Sequence, residues 1–531
     1  MKANTKFIKV LTLTILVTGC SDFLEVDPQN KYLSTNFYVS EAQVFNGLIA
    51  AYDPMQYTFV DGFWTSTVML GEIWSDNANA GGDPTNNDQQ GWQQIDDLTA
   101  TTVTSEATSF WKKNYYGINK ANQVLNNVKI TSDLIKQYQA EAKFLRAFYH
   151  FELFRMFGPI PVITSQPAPD DKSAKRNTLS EVFTQITNDL KDAIELLPTT
   201  YSSEFKGRIT KGAAQALLGK AYLYWADLKD DDSELFDLAA QYLNDVITSN
   251  TYSLLDDYNE LYAFGAANTS ESVFEIQYSS EVPADFGTPF EFINGNMIVQ
   301  LCGIRGLCTN HPDYIEGWGF MLPTSNLYTS FLPDDIYRRD AAILSEIELA
   351  LEGCNVTAAV QNTVDFEGYW QQKYANYRGY TVPNGGEINV LKDANQPYIR
   401  YADVLLMYAE ALTRGTGSDT DAMEAIDLVR ERATGPGDNT GSFRTAADLM
   451  SDEGWTLLEV IWYERRAELA GEGDRWFDLV RSGRAAADLF DPGDLRNGNF
   501  TEDDRFLPIP QREIDLTGGG LTPYPSESLF Q

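Results

Sequence analysis

The sequence predicts a mostly α-helical protein whose helices pair into a scaffold, with long irregular loops and a few short strands. Two observations carry that reading. Segments of helical length repeat apolar residues at helical spacing and fall two by two. Between them lie two long stretches, residues 50–105 and 265–395, that are rich in Gly, Asn, Asp and Pro and carry no helical period. Hydrophobic residues make up 43% of the chain, enough for one large core.

The N-terminus is read first. Lys2, Lys6 and Lys9 supply positive charge, and Phe7 to Val17 is a short apolar run broken only by Lys9, Thr12 and Thr14. A membrane-spanning helix needs roughly 20 apolar residues, so residues 1–19 are expected to be a signal segment. Val17-Thr18-Gly19-Cys20 resembles a bacterial lipobox. Cys20 is then the first mature residue and the lipid attachment point, with 20–34 as a tether and 35–531 as a single domain. Several acyl chains make a durable anchor. An ordinary signal with a chance cysteine is the blander alternative.

The first strong helix pair is predicted at 106–128 and 133–157. Phe144, Leu145, Phe148, Phe151 and Leu153 form its apolar face, and Gly158-Pro159 stops it. A second pair follows near 179–196 and 210–228. There Ala213, Ala216, Gly219 and Ala221 allow a close approach between helices. "AYLYWADL" with "LAAQYLNDVI", and "LMYAEALT" with "AMEAIDLVRERA", repeat one plan. Each is a small-residue helix, a turn, and a helix with Ala at the crossing. These units resemble tetratricopeptide hairpins. They fall within 106–262 and 396–490, dispersed rather than tandem.

Charge and rare residues exclude several functions. A net charge of −36 repels nucleic acid and anionic lipid. With only His150 and His311, a triad or a His-rich metal site has little to build on. His150 sits in an aromatic helix and reads as core. Cys302, Cys308 and Cys354 leave an odd thiol. A Cys302–Cys308 bridge is one possibility, which spacing does not decide. Asp76, Asp83 and Asp88 offer oxygens, but "DNANAGGDPTNND" lacks the spacing of an EF-hand calcium loop. No cofactor or metal is expected.

Five further segments carry a family resemblance: "EAKFLRAFYHFELFRMFGPIPVI" (141–163), "YIRYADVLLMYAEAL" (398–412), "AIDLVRERA" (425–433), "ERRAELAGEGDRWFDLVRSG" (464–483) and "FLPIPQREID" (506–515). "FWKKNYYGINKANQVL" (110–125) matches the first long helix of the same pattern. Together they resemble the SusD/RagB family of surface glycan-binding lipoproteins, and Ser21-Asp22-Phe23 resembles the tag that exports such lipoproteins to the cell surface. The C-terminal "LTGGGLTPYPSESLFQ" departs from the family's usual Asn-rich tail.

The resemblance implies a non-catalytic lid over a TonB-dependent (SusC-like) outer-membrane transporter, capturing an oligo- or polysaccharide for uptake. It does not fix the sugar. "SDNANAGG…ND" looks like marine relatives that bind neutral glucans such as laminarin. Arg146, Arg430, Arg465, Arg475 and Arg481, among Glu464, Glu468, Glu472 and Asp478, read as ion pairs bracing helices. A glycoside hydrolase and a peptide-binding module are the competing functions.

Sugar rings present C–H faces to flat aromatics and hydroxyls to paired donors and acceptors. Candidate contacts are therefore loop tryptophans with polar neighbours. Residues 71–96 offer Trp74, Asp76, Asn77 and Trp92, with Asp88 and Gln89 beside them. Residues 301–320 offer Arg305 and Trp318, the latter between two glycines; Trp370 is a further choice. Loop tryptophans also pin loops to a core, and that role stands against each of them. Trp111, Trp225, Trp455, Trp462 and Trp476 lie on patterned helices and read as core.

Overall fold

The computed structural model describes residues 37–83, 88–166, 171–229, 232–356, 365–435, 443–489 and 500–530. Cys20 and the tether expected at 20–34 lie outside them. The long helices are α1 (Glu41–Tyr52), α2 (Ser105–Asn127), α3 (Asp133–Phe157), α4 (Leu179–Ile194), α5 (Lys211–Leu228), α6 (Ser233–Thr248), α7 (Tyr401–Arg414), α8 (Asp419–Ala433) and α9 (Leu457–Glu468). Among the described residues, no helix is long and apolar enough to cross a membrane.

Local chemistry sets the helix ends. The Ser132 hydroxyl accepts the Ile135 N–H at the start of α3, and Gly158, at φ 69°, closes it. Thr178 and Glu181 form a capping box at the start of α4. On α5, Gly219 faces Leu243 of α6, and a Cβ added there would lie 2.6 Å from Leu243 Cγ. That is the close approach its small residues predict.

Neighbouring helices pack in one row from α2 to α8, with α9 against α7 and α8. The two sequence-distant sets of hairpins are therefore contiguous, because α6 packs directly on α7. Apolar faces of the row merge into a single buried cluster that includes Phe144, Phe151, Leu217, Leu243 and Leu406. His150 is fully buried, as expected, and burial pulls its pKa down to about 4.

Among the described residues, the irregular segments form four two-stranded antiparallel sheets. They are β1 (Phe59–Val60) with β2 (Phe63–Trp64), β3 (Ala78–Gly81) with β5 (Phe320–Pro323), β4 (Ser272–Ile276) with β8 (Gln396–Arg400), and β6 (Ile343–Ser345) with β7 (Tyr369–Gln371). The β3–β5 pair joins the two stretches singled out from sequence, with Gly81 opposite Phe320.

The bridge considered between Cys302 and Cys308 does not form. Cys308 bonds Cys354 instead, 46 residues away, and Cys302 is a buried free thiol. The reason is packing: Ile304, Leu307, Leu349 and Cys354 share one small cluster, which brings the two sulfurs together.

Candidate functional site: an aromatic platform around Trp318

The site begins with a tight turn. Asp61 and Gly62 take φ of 54° and 91°, which a two-residue hairpin loop of the primed type requires. The β1–β2 register sets Phe59 opposite Trp64, with ring centroids 4.3 Å apart. Trp64 meets Trp318 edge-on at 5.7 Å, and Trp318 lies near-parallel to Phe286 at 6.0 Å and 26°. Trp318 is half-buried, whereas Phe286 is 51% exposed. The result is a ridge of rings rooted in the core and open at its outer edge.

Backbone contacts explain why Trp318 sits between glycines. Gly317, Trp318 and Gly319 donate to the carbonyls of Ile304, Gln300 and Gly303, each at 2.9 Å. A Cβ on Gly317 would come within 2.4 Å of the Gly303 Cα, and Gly319 has φ +67°. The flanking glycines therefore serve the close approach that seats the tryptophan.

Polar groups rim the ridge. The Lys112 ammonium pairs with Asp61 of the hairpin turn and lies 5.9 Å from the Phe290 ring centroid. Asp285 accepts the Gly287 N–H at 2.9 Å and the Thr288 hydroxyl at 3.1 Å, which shapes the turn carrying Phe286. The Arg305 side chain starts beside Gly319, and its guanidinium bonds Asp88 at 3.2 Å with 21% of the side chain exposed. Flat apolar rings with charged and hydroxyl groups at their edge suit a ligand with one C–H face and many hydroxyls.

The other predicted contacts lie inside the protein. Trp74 is buried and stacks on Trp476, centroids 4.4 Å apart and 11° from parallel. Asp76 receives Arg475 at 2.8 and 2.9 Å and Arg466 at 3.0 Å. Asn77 accepts Arg466 Nε at 2.9 Å and donates to Glu72 at 3.2 Å. These three residues fasten the 71–82 stretch onto α9 and the helix Arg475–Arg481, so they are corrected from ligand contacts to internal anchors. Trp92 is fully buried against the edge of Phe320 at 5.0 Å. Trp370 packs in the cluster beside the disulfide. Neither offers a surface for stacking. Of the helix tryptophans read as core, Trp111 and Trp476 are buried, while Trp225, Trp455 and Trp462 are only partly so.

Sequence reading missed Trp64 and Phe286. The signals were present: Asp-Gly between aromatic residues in "FVDGFW", and a phenylalanine in the turn-rich "ADFGTPF". The criterion that selected Trp318, an aromatic where a core is least natural, applies to Phe286 equally.

Buried charge surrounds the anchors. Burial pushes the Glu72 carboxyl up to about 7, against the opposing pull of the Gly473 N–H and Asn77. Among the described residues, no group of three or more His, Cys, Asp and Glu side chains is placed to hold a metal.

Two family models match the chain. One, described as "Starch-binding associating with outer membrane", matches residues 22–223, and one described as "SusD family" matches 350–525. A solved structure named as a laminarin binding SusD-like protein is 32% identical, covers 92% of this chain and 100% of its own, and superposes with a TM-score of 0.78. The chain belongs to the SusD/RagB family. Another family member, SusD-like protein P2 of Formosa agariphila, is 28% identical over 96% of both chains. Surface glycan-binding protein A from Bacteroides thetaiotaomicron, solved with laminarihexaose, shares the fold, with 24% identity, coverage of 91% and 99%, and a TM-score of 0.78. Like its family, the chain is a binding protein and not an enzyme.

Proposed function

We propose that this SusD/RagB protein captures a neutral glucan of the laminarin kind on the Trp318 platform. Anchored by lipid on Cys20 at the cell surface, it hands the chain to a TonB-dependent transporter. The observation that carries the reading is the half-buried Trp318 ring set beside exposed Phe286 at 6.0 Å. It supplies apolar faces where a protein core has no use for them. The 32% identical neighbour named for laminarin binding supports the sugar class. So does the charge of −36, which repels uronate and sulfate polymers.

The test is electrophoresis of the soluble chain, lacking residues 1–20, through native gels cast with laminarin or with a polyuronate. Retardation in laminarin alone, without release of reducing ends, is the expected result. Free migration in every neutral glucan sinks the proposal. For the anchor, Cys20→Ala is expected to leave the protein soluble in the periplasm; recovery of that variant in the outer membrane contradicts a lipid tether. Co-purification with the transporter from detergent-solubilised outer membranes tests the partner.

A further inference from the structure

A second concavity lies away from the platform, where the α4–α5 connection faces residues 251–275. Its two lobes, about 780 and 680 Å³, are wide open to solvent. Thr199, Thr251 and Tyr252 line both lobes. Tyr252 holds the groove open: its hydroxyl meets that of Thr210 at 2.8 Å, and its ring packs on Gly212, where a Cβ would come within 2.6 Å.

The lining chemistry is specific. Thr199, Thr200 and Thr251 are exposed, and their hydroxyls make no hydrogen bond among the described residues. Glu275 is already engaged by Ser272 and by the Asn268 N–H at 2.8 Å, and Asp245 by Gln215 at 3.2 Å. Lys206 and Lys211 balance these carboxylates, and the Arg208 guanidinium is paired with Glu141. A nearly neutral, hydroxyl-rich groove in a chain of charge −36 does not suit a basic peptide or a polyanion. Free hydroxyls and ammonium donors beside a tyrosine ring suit a neutral carbohydrate.

A chain of contacts, passing through buried Tyr57, links this groove to the platform. Asn268 Nδ2 donates to Gln277 Oε1 at 2.8 Å, Gln56 Nε2 donates to the Gln277 carbonyl at 2.6 Å, and Tyr57 meets the Phe290 ring edge-on at 5.2 Å. Phe290 lies on the same loop as Phe286.

We infer that the groove lined by Thr199, Thr251 and Tyr252 is a second subsite, which takes a distal stretch of the same neutral chain that stacks on Trp318. The inference rests on the proposed function. Two linked contacts raise affinity only for a ligand long enough to reach both, so the groove acts as a length gauge.

The experiment compares laminarin polymer with a laminari-hexasaccharide on two groove variants. One removes hydroxyls that have no internal partner: Thr199→Ala, Thr200→Ala and Thr251→Ala together. The other is Thr251→Cys capped with a bulky maleimide, selective because Cys302 is buried and Cys308 is bonded to Cys354. Hexasaccharide affinity is expected to stay within about twofold while polymer affinity drops about tenfold or more. Unchanged polymer affinity in both variants overturns the second subsite and leaves the platform reading intact. Loss of hexasaccharide binding places the groove within the primary site and overturns the inference as well. A wild-type chain that binds neither sugar removes both readings together.

Discussion

Trp318 keeps part of its ring at the surface while Trp74 is sandwiched against Trp476, and the same truncation at each separates binding from stability. Trp318→Ala is expected to cost about 0.5–1.5 kcal/mol of glycan affinity, the worth of one aromatic contact, with a smaller loss of stability than Trp74→Ala. Trp74→Ala empties a buried site and is expected to cost about 3–5 kcal/mol of stability. Its folded fraction should bind sugar like wild type; calorimetric titration beside urea denaturation distinguishes the two. The sequence could not tell these tryptophans apart, because the partner that buries Trp74 lies about 400 residues away in the chain. Asp76 and Asn77 looked like hydroxyl ligands for the same reason: Arg466 and Arg475 claim them only in three dimensions. Glu72 gives this scale a pH signature. Its carboxyl holds a proton in the fold up to about pH 7 but releases it near its ordinary 4.5 when unfolded. This group's contribution to stability therefore falls as pH rises from about 4.5 to about 7, then levels off. Glu72→Gln should flatten that decline in urea midpoints measured across the window; an unchanged slope contradicts the assignment.

At the scale of elements, helices were legible and irregular segments were not. The long period of α3 and its Gly158-Pro159 stop suffice to place its ends at 133 and 157. The small residues of α5 predict its contact with α6 correctly. Strands of two to five residues leave too little pattern to read, and β3 pairs with β5 across some 240 residues of chain. The disulfide belongs to the same class of non-local fact: Cys302 lies only six positions from Cys308, yet the small cluster selects Cys354. That bridge closes a 46-residue separation. Replacing both Cys308 and Cys354 by Ser should cost about 2–4 kcal/mol in chemical denaturation, with no change in Trp318 fluorescence quenching by glucan.

Across the whole molecule, a buried ion network ties the irregular segments to the helical row. Arg400, at the end of β8, reaches Glu472 at 2.8 Å, Glu468 at 2.9 Å and Glu271. Arg432 of α8 joins Glu271 at 2.9 Å, and Arg338 of the irregular segment joins Glu464 at 3.0 Å. Burial pushes Glu468 up, but Arg432, Arg400 and Arg338 outweigh it and hold the carboxyl at about 2. Its contribution to stability is present above the unfolded value of 4.5 and is lost as pH falls through about 2. Arg400→Met strands several buried carboxylates and should cost about 3–5 kcal/mol, read as a lower urea midpoint at neutral pH that salt hardly changes. The β4–β8 pair has a different consequence. It pins the entry and exit of residues 277–395 side by side, with Ile276 opposite Gln396. That span, which holds Phe286 and Trp318, enters and leaves the row at one point and is sewn to the rest of the molecule again by β5 on β3 and by Arg338 on Glu464. A change of diet therefore calls for matched changes in the span and in the β1–β2, β3 and α9 surfaces it rests on.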